Sequence, residues 1–131
     1  MKRYISLILV LITLLLCGCS AGRTDISRQE IFDAYTAAGY QVDTQEYDEP
    51  MEFGQIAYLK AGKSDTDFIY FTFFETEQAA NAYKEQTYHP AMIGLFSIIF
   101  GDPTWLRFEV IGCIVVEYED SDYFKILEEI R

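Results

Sequence analysis

Phe68-Ile69-Tyr70-Phe71-Thr72-Phe73-Phe74 decides how this chain folds. Ile69, Phe71 and Phe73 alternate on one side of an extended segment, and Phe68, Tyr70 and Phe74 on the other. A strand with one face in water carries polar residues at every second position, whereas here both sets are apolar or aromatic. The stretch therefore reads as a central strand covered on both faces. Upstream, residues 55–61 form a second extended run, joined to the first by Gly62-Lys63-Ser64-Asp65-Thr66-Asp67, a string of turn formers. The pair reads as a β-hairpin. Further out, residues 40–47 are polar and acidic (Val42, Asp43, Glu46), the pattern of an edge strand. They lead into an acidic turn at Asp48-Glu49-Pro50-Met51-Glu52. Calcium loops need ligands at fixed spacings and a glycine for the turn, and this turn has neither, so it reads as solvated charge.

The flanking segments are helical. Ser27 and Glu30 form a capping box, Ile26 and Ile31 a hydrophobic staple, and Ile31, Ala34, Tyr35 and Ala38 repeat at i, i+3, i+4, i+7 before Gly39 stops the helix. Thr76 caps a second helix over residues 77–87 with Ala79, Ala82 and Tyr83 on one face. After Asp102-Pro103, Leu106, Phe108 and Val110 alternate with Arg107 and Glu109 in a half-buried strand. Ile111-Gly112 makes a tight turn, and residues 113–118 return as its partner. Asp120 or Ser121 caps a last helix in which Tyr123, Ile126, Leu127 and Ile130 share a face. Three helices and four or five strands predict an α+β fold, in two layers with the helices packed on an antiparallel sheet. Residues 27–131 are expected to form a single domain with one core.

The start of the chain has a different character. Lys2 and Arg3 precede an apolar run over residues 5–16, and Leu16-Cys17-Gly18-Cys19 is followed by the small residues Ser20, Ala21 and Gly22. The run is shorter than the roughly 20 apolar residues of a spanning helix and fits the h-region of a signal peptide. Leu16-Cys17-Gly18-Cys19 resembles a lipobox, the cleavage and lipidation motif of bacterial lipoproteins. The resemblance covers about the first twenty residues. It implies that residues 1–18 are removed, that the Cys19 thiol carries a diacylglycerol, and that residues 19–26 are a short tether to the membrane, on the outer side of the cytoplasmic barrier. Two acyl chains make a lasting anchor where one is reversible.

Composition narrows what the tethered domain can do. Beyond residue 18 the chain has 8 basic and 21 acidic residues, a net charge of −13, which repels phosphate backbones and argues against nucleic-acid binding. His89 is the single histidine, and there is no Gly-x-Ser-x-Gly, no phosphate-cradling glycine loop and no cysteine–histidine pairing in motif spacing. No metal site, no cofactor and no catalytic residue is expected. Cys113, in the apolar run Ile111-Gly112-Cys113-Ile114-Val115-Val116, reads as a small core hydrophobe.

Three classes of function remain: a small binding or interaction module, a structural accessory subunit of a membrane complex, and a hydrolase built on a carboxylate pair. The first fits best. Its candidate contact surface is the stretch from Tyr88 through the apolar run that follows, with Met92, Phe96, Ile99, Phe100 and Trp105 as binding residues. Pro90 and Pro103 bracket the run, and Gly94 and Gly101 interrupt it. The partner would be an envelope protein or a small ligand, in addition to the membrane held through Cys19.

Overall fold

The computed structural model describes residues 24–64, 67–88 and 107–131. In chain order the elements are α1 (Arg28–Ala37), β1 (Gln41–Glu46), β2 (Gln55–Gly62), β3 (Phe68–Phe74), α2 (Glu77–Thr87), β4 (Arg107–Ile111), β5 (Ile114–Tyr118) and α3 (Ser121–Ile130). All strand pairs are antiparallel, and the five-stranded sheet has the order β1-β2-β3-β5-β4. This is the α+β architecture that the sequence predicts, with the doubly apolar β3 at the centre. β3 and β4 run the same way on either side of β5, so the segment containing α2 spans a split β-α-β unit into which β5 inserts.

Local chemistry sets the element ends. The Ser27 side chain accepts from the Glu30 amide, and the Glu30 carboxylate accepts from the Ser27 amide at 2.8 Å, so two amides at the start of α1 are satisfied. At the other end Gly39 N–H donates to Thr36 and Tyr40 N–H to Tyr35, the pair of bonds that defines a Schellman motif. That motif needs a left-handed residue, and Gly39 supplies it with φ of 87°. Thr76 caps α2 by accepting from the Ala79 amide, and Asp120 caps α3 by accepting from the Asp122 amide. Gly112 and Cys113 form the two-residue turn between β4 and β5, with φ of 56° at the glycine and no positive φ at the cysteine. Those signs are the signature of a type II′ hairpin turn.

The helices divide between the two faces of the sheet. On one side Leu59, Phe71 and Val116 stand abreast with Ala61, Ile69 and Tyr118 beside them, and α1 and α3 cover this row with Ile31, Tyr35, Tyr123, Phe124 and Leu127. This is the main core. Tyr35 is fully buried at its centre, its ring edge-on to Phe71 at 5.5 Å and its hydroxyl donating to the Tyr123 carbonyl at 2.7 Å. On the other side α2 packs on β3, β4 and β5, closing a smaller cluster of Phe74, Ala80 and Val115 with Tyr83 and Val110 against it. A helix thus lies on each face of the sheet, one layer more than helices on a single face would give. The two alternations of β3 require it.

Three local expectations change. In α2 Ala79 and Tyr83 pack against the sheet as expected, but the fully buried residue is Ala80 and Ala82 is exposed, so the contact face is rotated toward Ala80 by well under a quarter of a turn. Ala38 caps α1 from an exposed position and adds nothing to its buried face. Cys113 is half-buried in the β4–β5 turn, outside β5, because the II′ turn takes both Gly112 and Cys113. Its carbonyl accepts from the Phe74 amide at 2.8 Å. Its position is fixed by backbone geometry, and the thiol is not a core side chain.

Candidate functional site

Antiparallel register places residues from every strand in single rows across the sheet. One row on the face covered by α2 runs Asp43, Lys60, Tyr70, Glu117, Phe108 from β1 to β4. Adjacent members lie on strands about 4.8 Å apart, so this row crosses the whole sheet in roughly 20 Å. The next row carries Gln45, Tyr58, Thr72, Val115 and Val110. Since α2 is set over β3, β4 and β5, the two rows pass from a packed end at Val110 and Val115 to an open end at Asp43 and Gln45. Lys60, Tyr58 and Tyr70, between those ends, are half-buried.

Glu117 is the focus of this face. It is a single carboxylate in the otherwise apolar β5, flanked in sequence by Val116 and Tyr118 and abreast of Tyr70 and Phe108. Burial pushes its carboxyl above the usual range, opposed by the Tyr88 hydroxyl, which donates to Glu117 Oε1. Tyr88 is held at the C-cap of α2, where its amide donates to the Lys84 carbonyl at 2.9 Å and its ring stacks on Phe108. The tyrosines nearby feel the same carboxylate. Burial, with Tyr47, Tyr58 and Glu117 adding to it, pushes Tyr70 up to about 12. Tyr83 is raised first by burial and then by Glu117, and Tyr88 first by burial and then by its bond to Glu117.

Toward the open end the rings continue. Tyr58 stacks on Tyr70 with centroids 5.5 Å apart and planes at 12°, and Tyr47 lies 6.4 Å from Tyr58. The Tyr58 hydroxyl donates to Asp43 Oδ2 at 3.0 Å. The Lys60 amine lies over the Phe68 ring, 4.3 Å from its centroid. At the edge Gln41, Val42, Asp43, Lys60, Gly62 and Ser64 border an open hollow of about 270 Å³. A second, acidic hollow of about 490 Å³ lies among Asp67, Arg107, Glu119, Asp120 and Ser121. Among the described residues no three histidine, cysteine, aspartate or glutamate side chains are grouped to hold a metal.

Of the residues that sequence reasoning selected, Tyr88 falls in this face. Cys19, Met92, Phe96, Ile99, Phe100 and Trp105 lie outside the described residues. Glu117, Tyr70, Tyr83 and Tyr58 were not selected. A signal was present, since Glu117 interrupts five residues of strand that are otherwise Ile, Val, Val and Tyr, and a lone acid in a buried strand calls for a partner. The register that sets it beside Tyr70 cannot be read from one strand. Comparison with protein-family models, with curated proteins and with solved structures finds no match to this chain.

Proposed function

We propose that the chain is a membrane-anchored extracytoplasmic lipoprotein that works as a small binding or interaction module, tethered through Cys19 and making contact through the stretch from Tyr88 to Trp105. The observation that carries this reading is the motif Leu16-Cys17-Gly18-Cys19 behind a basic start and a short apolar run. Within the tether, the six residues 20–25 that follow Cys19 reach only about 20 Å when extended, which keeps the domain close to the bilayer. Tyr88 supports the second half of the proposal. It opens the stretch from the aromatic face around Glu117, with its ring on Phe108 and its hydroxyl on the carboxylate.

The paired substitution Phe96→Ser and Ile99→Ser tests the contact surface. The expected result is an unchanged melting temperature with loss of the partners captured from detergent-solubilised envelope by the wild-type chain. Core side chains of this size cost about 2–5 kcal/mol each when truncated, so a fall of tens of degrees would contradict the proposal and assign the stretch to the core.

A further inference from the structure

The chain enters the domain at one end of the sheet. The Thr24 carbonyl lies where a Cβ on Gly112 would stand, and Ile26, two residues on, is buried in the main core. From the β4–β5 turn that holds Gly112, a line of contacts crosses this end of the sheet. The Cys113 carbonyl accepts from the Phe74 amide at 2.8 Å, Phe74 pairs with Gln55, and Gln55 holds the β1–β2 turn. Its backbone carbonyl accepts from the Met51 amide at 2.9 Å and its side-chain carbonyl from the Phe53 amide at 3.1 Å, while the Gly54 amide donates to the Met51 carbonyl at 2.8 Å. Cys113 and Gln55 flank Phe74, two strand spacings or about 10 Å apart. The tip of the β1–β2 turn and the entry point of the chain therefore share one end of the domain.

That tip is where apolar side chains reach solvent. Among the described residues the large hydrophobic side chains that stand exposed are Met51, at 52 %, and Phe53, at 45 %. Phe53 rests edge-on against Tyr83 at 6.0 Å, with nearly half its surface still open. The amides of Met51, Phe53 and Gly54 are hydrogen-bonded within the turn, so the tip can leave water without stranding these donors. From Cys19 to Thr24 the chain extends at most about 17 Å. An acylated Cys19 thus holds the tip within reach of the bilayer, where its apolar area leaves water. Asp48, Glu49 and Glu52 flank the tip and are exposed; their carboxylates stay hydrated and are repelled by anionic headgroups. The surface that fits is therefore a zwitterionic bilayer.

We propose that Met51 and Phe53 form a second contact with the lipid surface, and that this contact turns the tether end of the domain toward the bilayer. The inference rests on the lipoprotein reading, in which Cys19 carries the acyl chains. The anchor supplies the affinity and the two side chains the orientation, because a group already held at the surface needs little further binding energy to stay there. Tyr88 meets Phe108 and Glu117 near the other end of the sheet, so the contact stretch that begins at Tyr88 starts at the end away from lipid.

The test is photochemical. The full chain, purified from bacterial membranes, is reconstituted into phosphatidylcholine vesicles that contain a lipid with a diazirine in its acyl chain, then irradiated, digested and mapped by mass spectrometry. Lipid adducts are expected within residues 48–54, and none in the β2–β3 turn at the opposite end of the sheet. Met51→Ser with Phe53→Ser should cut those adducts at least about tenfold and leave the melting temperature unchanged, since both side chains are exposed. Replacing part of the phosphatidylcholine with phosphatidylglycerol should lower the yield, and added salt should restore it. Adducts at the β2–β3 turn or within residues 88–106 in place of 48–54 would overturn the proposal, as would adducts at 48–54 that survive both serines. The intact mass of the same sample reads the anchor separately. A lipidated chain without adducts at 48–54 refutes this inference alone, whereas a chain without lipid refutes the lipoprotein reading and this inference with it.

Discussion

Replacing Phe71 with alanine probes the sheet at its centre. Phe71 is fully buried, abreast of Leu59 and Val116, with the Tyr35 ring edge-on at 5.5 Å, so its removal opens a cavity where α1, β2, β3 and β5 meet. Phenylalanine truncations in cores cost about 3–5 kcal/mol, and the edge contact with Tyr35 puts this site toward the upper half of that range. At about 4–8 °C per kcal/mol for a domain near 100 residues, the melting temperature should fall by roughly 15–40 °C. Phe68→Ala is the internal control. Phe68 is on the same strand but the other face, half-buried under the Lys60 amine. Half a phenylalanine's burial plus one cation–π contact amounts to about 1–2 kcal/mol. Thermal and urea unfolding of both variants, followed by circular dichroism, decides the matter. Equal losses would refute the assignment of the main core to the face under α1 and α3.

Two further outcomes are expected. Burial raises the Glu117 carboxyl above its unfolded value, so its contribution to stability is present below the unfolded pKa and is lost as pH rises through the folded pKa. Glu117→Gln should therefore gain on the wild type as pH rises above the unfolded carboxyl value of about 4.3, and urea midpoints that shift in parallel as pH rises would contradict the burial of this group. Gly112→Ala should cost more than about 1 kcal/mol, because φ of 56° disfavours a Cβ and that atom would collide with the Thr24 carbonyl oxygen. A neutral effect in thermal melts would mean that the turn relaxes.

What could be read in advance depended on how local the determining interaction was. The capping box at Ser27, the Thr76 cap, the limits of α2 and the double alternation of β3 are all decided within a few residues, and the structure has each of them. The face that α2 presents was harder. Alanine gives little periodic contrast, so whether Ala80 or Ala82 meets the sheet is settled by packing against Phe74 and Val115. Cys113 was drawn into a strand by its aliphatic neighbours, although the turn geometry of Gly112 claims it. The site shows the same division. Tyr88 could be chosen from its place beside an apolar run, but its partners Glu117 and Phe108 come from strands twenty or more residues away. Their adjacency is a product of the sheet order, in which β5 inserts between β3 and β4.

The most direct test of the lipoprotein account is the mass of the mature chain from bacterial membranes, for the wild type and for Cys19→Ala. The account predicts a wild-type species that begins at Cys19, carries a diacylglycerol and partitions into detergent, and an alanine variant that is uncleaved or released and has no lipid. The same lipidated, membrane-bound species in both proteins would contradict it.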